Sequence, residues 1–443
     1  MSFIRLRLLG ILVVALCGMA FGGGCSSSNP TPAPQAKSAP PTPSQVVPPE
    51  LPVAKKVEAP PAEPPIAVTP APEKKPEAKV ELEEPQSYDR AAALAALEKL
   101  KVKVKIEKRK QEDDSEVDAI ETINFYGSFL DLMDEKMAER VGRILAPLTD
   151  TEKLWFQRDI HPACLRHLSG MTKLKQISAS MDDEGFAAIA GLNSLEQLTT
   201  AAGRHRCSDA AMPHVAKLTS LTELDLSGGK ITDEGLALLK PLTQLKMLYV
   251  SETPITGKSL AHLDWPELMA ITLEGSGFTD EGLEQLSRYP KLKFVQASKT
   301  GITDVGLAHL AKVKNLRSLY LRGTKVSGKG LAGVKLEMLE AKDSQFADAG
   351  LQALTAEDNP DLYNLALEGT KVTDEGLTDL HKLPALTTLW LDNTAITDAG
   401  LEHLAKVPKL NSLYLDGTQV TEAGVAKLKA AIPKCQIDWK PKK

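Results

Sequence analysis

Trp390 and Asp392 occur in Leu-Trp-Leu-Asp, and Tyr414 and Asp416 occur in Leu-Tyr-Leu-Asp one repeat later. A ring set two residues from a carboxylate, between leucines, is suited to recognition: the ring supplies rigid apolar area and the acid supplies charge at its rim. Tyr320 and Arg322 repeat the arrangement with a cation, and Tyr249 and Phe294 add rings at or beside the equivalent position. The rival reading is that aromatic residues are good strand formers on a pleated surface.

Residues that could make or break bonds do not assemble in the same way. There is no G-x-S-x-G elbow, no phosphate-cradling glycine loop and no H-E-x-x-H. Thr-Asp pairs are abundant (Thr232-Asp233, Thr279-Asp280, Thr303-Asp304, Thr373-Asp374, Thr397-Asp398), but they recur with the repeat and read as helix-capping oxygens. His167, His214, His262, His309 and His403 share one repeat position. Strand spacing then keeps them roughly 10 Å or more apart, too far to share a metal. The expectation is a chain that is not an enzyme and takes no cofactor or metal.

What positions the rings is a period of about 24 residues with L-x-x-L-x-L, which indicates a solenoid of leucine-rich repeats. In NLRSLYLRGTKV, Leu316, Leu319, Leu321 and Val326 point inward, and the alternation around Leu319 and Leu321 is a strand. Thr324 and its equivalents (Thr253, Thr300, Thr370, Thr394, Thr418, with Ser276 and Ser344) can satisfy backbone groups at the bend after it. Gly-Leu-x-x-Leu follows as a short outer helix, which Pro241, Pro266, Pro290, Pro360, Pro384 and Pro408 end. The expected fold is an α/β solenoid with a parallel sheet on its concave face and short helices outside, preceded by a disordered Pro/Ala-rich tether.

The pleat makes Asp225, Tyr249, Thr272, Gln296, Tyr320, Glu340, Ala366, Trp390 and Tyr414 an exposed central column. Met247, Phe294 and Ser318 flank it on one side. Glu274, Arg322, Lys342, Glu368, Asp392 and Asp416 flank it on the other. The array has one irregularity: Leu331 to Leu351 is a short turn and Leu351 to Leu377 a long one, containing Ala356-Glu357-Asp358-Asn359. A local change of curvature is expected there.

The pattern resembles the bacterial leucine-rich repeats of the G-T-x-[VI]-T-D-x-G-L type found in planctomycete cell-surface proteins. The resemblance implies a scaffold and says almost nothing of its ligand. The ending from Ile432, IPKCQIDWK, also resembles that family's closing cap, with Cys435 in a core position and Trp439 over the last layer.

The start of the chain bears on location. Arg5 and Arg7 precede an apolar run from Leu8 to Phe21, too short to span a bilayer comfortably. Gly22-Gly23-Gly24-Cys25 then resembles a bacterial lipoprotein signal, with Cys25 lipidated and Ser26 favouring outer-membrane sorting. Gly22 departs from the usual Leu, and ordinary cleavage after Ala20 is the alternative. Residues 25–86 are rich in Pro, Ala, Glu and Lys and cannot bury a core.

The expected organisation is a signal peptide over 1–24, a lipidated tether over 25–86, a capping helix and strands over 87–128, and the solenoid over 129–443, closing from about 427. Net charge of −5 and a pI near 6.0 give no basic footprint, so no nucleic-acid partner is expected. Cys17, Cys25, Cys164, Cys207 and Cys435 show no C-x-x-C spacing, and a Cys164–Cys207 disulfide stays open. The functional expectation is a monomer, lipid-anchored in the cell envelope (periplasmic, outer-membrane or at the cell surface). Its concave sheet would bind a protein or an envelope polymer. The alternative is a structural or adhesive component without one partner.

Overall fold

The computed structural model describes residues 89–110, 115–126, 134–200 and 205–440. All belong to a compact unit spanning 82–443, and the other unit, 1–81, lies outside the described residues together with Cys25 and the signal segment. So does the remainder of the tether. Among the described residues no helix is long and apolar enough to cross a membrane.

A helix, Arg90–Lys99, opens this unit, followed by an antiparallel hairpin of Lys103–Lys110 and Glu116–Phe125. Every later strand pairs parallel to the one before, giving fifteen strands in chain order among the described residues. The edge strand Lys103–Lys110 carries five cations, which oppose pairing with another chain. Its Lys105 and Arg109 bond Glu121 and Glu152 of the next layers, tying the hairpin down.

From Glu223 onward the strands are only three residues long, and the middle residue, such as Leu319, Leu339, Leu365, Leu389 and Leu413, is buried in all but the last, where Ile437 is partly exposed. Its neighbours face the open side, as the pleat requires. After each strand the chain bends through a left-handed residue: Glu252, Gly275, Lys299, Gly323, Asp343, Gly369, Asn393 and Gly417 all have φ between 55° and 74°. Glycine takes this conformation without cost, which explains the Gly-Thr of the repeat. The following Thr253, Thr300, Thr324, Thr370, Thr394 and Thr418 are buried and donate their hydroxyls to the carbonyl three residues back.

The Thr-Asp pairs divide their labour in a way the sequence did not reveal. Thr232, Thr303 and Thr397 cap their own helices, Thr303 by accepting from the Val305 amide, whereas Thr279 and Thr373 make no such bond. The aspartate instead reaches the following turn. Asp280 accepts from the amide and hydroxyl of Thr303 (2.7 and 2.6 Å), and Asp374 does the same with Thr397. Asp183, Asp209, Asp348 and Asp398 repeat the clamp on Ser208, Thr232, Thr373 and Thr421. The repeat glycine now has a reason: a Cβ at Gly306, Gly400 or Gly424 would overlap the carboxylate clamping that turn.

Two turns lack the aspartate and carry Gly257 and Gly328 there, at φ of +91° and +89°. The next turn in each case replaces the usual Ile or Val with phenylalanine, Phe278 or Phe346, whose ring fills the space beside that glycine. Eight positions that follow an aspartate hold Cys207, Ile231, Ile255, Ile302, Val326, Val372, Ile396 and Val420. Ring and carboxylate are alternative fillings of one gap.

The irregular turn is absorbed on the outside. Strand register runs on through Ser318, Met338, Asn364 and Thr388 without a shift. The insert folds back so that Asn359, fully buried, accepts the Leu336 amide of the shortened turn (2.9 Å). One turn's extra residues thus satisfy a backbone donor left by its neighbour's deletion. At the far end Trp439 packs against the core and Cys435 is buried.

Candidate functional site

The sequence candidates fall into three groups on the open face. Tyr249 lies toward the N-terminal half, its hydroxyl donating to Glu223 (3.1 Å). Glu223 is buried, and this burial, with Asp225 beside it, holds its carboxyl above the usual range despite that bond. Phe294 and Tyr320 meet on adjacent strands with ring centres 5.2 Å apart. Here one expectation is corrected: Phe294 is only 7% exposed, because the tilted Tyr320 ring and neighbouring strands cover it. It supports Tyr320 rather than offering a surface. Asp225 is likewise buried and spends its oxygens on Thr200 and the Ser227 amide. Arg322, half-exposed, pairs with Asp343 at 3.4 Å.

The third group is the most ordered. Trp390 and Tyr414 are register partners on neighbouring strands, with ring centres 3.5 Å apart and planes within 2°. Strand partners normally sit about 4.8 Å apart, so the rings lean together into a closed stack. Asp392 and Asp416 follow the same strands. One Asp392 oxygen accepts the Asp416 amide (2.7 Å), and Asp416 pairs with Lys440 (2.8 Å). Burial, reinforced by Glu368 and Asp416, pushes the Asp392 carboxyl above its usual range against the pull of the Asp416 amide. Burial and then Glu368 do the same to Glu340.

Three exposed rings escaped the sequence reading, Tyr363 and two near the start of the array. Trp155, 37% exposed, occupies the same central column as Tyr249, and Tyr126 lies beyond the end of the preceding strand with Lys103 over its ring at 4.9 Å. The alternation in Lys153-Leu154-Trp155-Phe156 was the available signal, in a turn too degenerate to place in phase.

The cysteine pairing left open by the sequence does not occur: Cys164 and Cys207 are separate, buried free thiols. Burial pushes each to about 12, so neither offers a thiolate near neutral pH. Alkylation of the folded chain should spare both, with labelling appearing in step with unfolding. Rapid labelling of the native protein at either position would contradict their burial. His205 is buried too. Its Nδ1 accepts the Met181 amide, its Nε2 has no partner, and desolvation lowers its proton affinity. Among the described residues no three His, Cys, Asp or Glu side chains are grouped to hold a metal ion.

A family model described as "Leucine Rich repeat" matches residues 217–240. No curated protein matches the sequence. Among solved structures, an internalin from Listeria monocytogenes is similar at 19% identity and a TM-score of 0.47, covering 62% of this chain and 83% of its own. A leucine-rich-repeat protein of Leptospira interrogans is similar at 16% identity and 0.45, covering 67% and 91%. A plant peptide hormone receptor, solved with its peptide, is similar at 13% identity and 0.44, covering 75% and 52%. With its strand register, left-handed bends and buried leucine ladder, the chain is an α/β solenoid of leucine-rich repeats.

Proposed function

We propose that this chain is a non-enzymatic recognition scaffold that binds a protein through the open face of its sheet, with Trp390 and Tyr414 as the anchor. The observation that carries the reading is the closed ring stack, half-exposed and bordered by carboxylates. Two large side chains are already held in one geometry, so a partner meeting them loses little further side-chain entropy. The N-terminal segment supports the remainder of the reading: export, a lipid anchor at Cys25, and a tether that places the scaffold at the cell envelope.

A photo-crosslinking residue at position 412, beside the stack, tests it in the native host. The expected result is one dominant protein adduct, lost when Trp390 and Tyr414 are both replaced by alanine. A diffuse set of adducts, unchanged in the double variant, would favour a structural or adhesive envelope component instead. Both replacements lie on the half-exposed face, so a melting curve close to that of the parent should accompany the loss.

A further inference from the structure

The ring stack has a free side, and that side is a slot. Because the two rings are parallel with centres only 3.5 Å apart, their common normal runs from strand to strand. Tyr414 covers one face of Trp390. The other face looks toward the preceding strand, where the register partner is Ala366. Alanine is the smallest side chain in the central column, and Ala366 is partly open to solvent. Beyond it the column resumes with Glu340. Two strand spacings separate Glu340 from Trp390, so the slot over Ala366 is roughly 10 Å from wall to wall. That width admits one flat group lying against the indole.

The charge around the slot has one dominant sign. Glu340 forms the wall opposite Trp390, and Glu368 and Asp392 line one flank in register with Ala366 and Trp390. Lys342 reaches Glu368 Oε1 at 3.5 Å, while Glu368 Oε2 is out of solvent and receives no hydrogen bond. Lys440 is committed to Asp416 on the far side of the stack. Three carboxylates therefore face the slot with Lys342 among them and Arg322 near Glu340 but paired to Asp343, next to the face of an indole, which attracts cations.

We infer that the slot between Trp390 and Glu340, floored by Ala366, takes the guanidinium of an arginine from a basic segment of the protein partner. A guanidinium is planar, stacks on an aromatic face and donates in a fork to carboxylates, so it matches both the width and the charge. The inference rests on the protein-binding reading above and narrows it. Carbohydrate, the other ligand that stacks on such rings, would use these carboxylates only as hydrogen-bond acceptors and would leave their excess negative charge uncompensated.

The test uses the full chain. A tetra-arginine peptide is titrated while the indole N–H signal of Trp390 is followed, identified by its absence in Trp390→Phe. Saturable binding is expected, weakening at least tenfold from low to physiological salt and absent for the tetra-citrulline peptide, which keeps the shape without the charge. Asp392→Asn, which retains an oxygen for the Asp416 amide, should weaken binding by about tenfold, and Ala366→Leu should block it by filling the slot. Equal binding of citrulline, indifference to both substitutions, or a response to a neutral oligosaccharide instead would overturn the inference. If the crosslinked adduct at position 412 persists in Ala366→Leu and Asp392→Asn, the scaffold reading stands and the arginine slot falls.

Discussion

Phe278→Ala is expected to destabilise the array by about 3–5 kcal/mol, the usual range for emptying a fully buried phenylalanine site. The ring has no substitute nearby. It fills the space that elsewhere holds a clamping aspartate, because Gly257 occupies that position in the preceding turn. The more informative variant is Phe278→Ile, which installs the residue the repeat itself favours. A reading from the repeat alone makes this neutral or stabilising. The structure makes it destabilising, by about 1–2 kcal/mol, since isoleucine leaves part of the gap empty. Ile302→Phe should also destabilise, by about 1–3 kcal/mol, because there Asp280 already fills the gap. Urea denaturation gives the sizes, and hydrogen exchange of the flanking turns shows where the loss falls. A stabilised Phe278→Ile variant would remove the proposed exchange of ring for carboxylate.

Asp233→Ala is expected to cost about 3 kcal/mol or more, the largest effect among the clamps. This carboxylate accepts from the amide and hydroxyl of Thr256, the amide of Gly257, and the amide and hydroxyl of Ser259, at 2.6 to 3.1 Å. Removing it orphans several part-buried donors at once. Asp233→Asn should lie between the parent and alanine, since only one of its two terminal atoms can accept.

The same bonds make the array acid-sensitive in a defined window. Burial opposes ionisation of Asp233 and Asp304, but the donors of Thr256 and Ser259, and of Ser327, Gly330 and Gly328, outweigh it and hold both carboxyls below their usual range. Thr421 lowers Asp398 directly. A depressed carboxyl stabilises the fold fully above the unfolded value near 3.8 and loses that contribution as pH falls through the folded value. Melting temperature measured below about pH 4 should therefore fall less steeply in Asp233→Ala than in the parent. Parallel acid profiles would show that the clamp does not titrate as described.

The repeat was legible in the sequence because each of its parts is a local demand. Leu319 and Leu321 announce a strand by alternation, Thr324 the hydroxyl under the bend, and Thr303 a helix cap. Even the outward column containing Trp390 and Tyr414 followed from the pleat. What stayed hidden was everything between turns. Sequence spacing could not show that Asp280 serves Thr303 rather than its own helix, since both partners lie within reach of a capping reading. Nor could it show that Asn359 repairs the turn shortened near Leu336, or that Phe294 is covered while Trp155 is not.

The candidate site divides along the same line. Its rings, acids and register were determined by the sequence, because a period of two along the strand and about 24 along the chain fixes which side chains share a face. Only the tertiary structure decided that the two rings close against each other, that Lys342 reaches Glu368 on the following turn, and that Lys440 is drawn to Asp416. Those are distances between neighbouring turns, set by how side chains lean and fill space across the stack, and no one turn's sequence contains them.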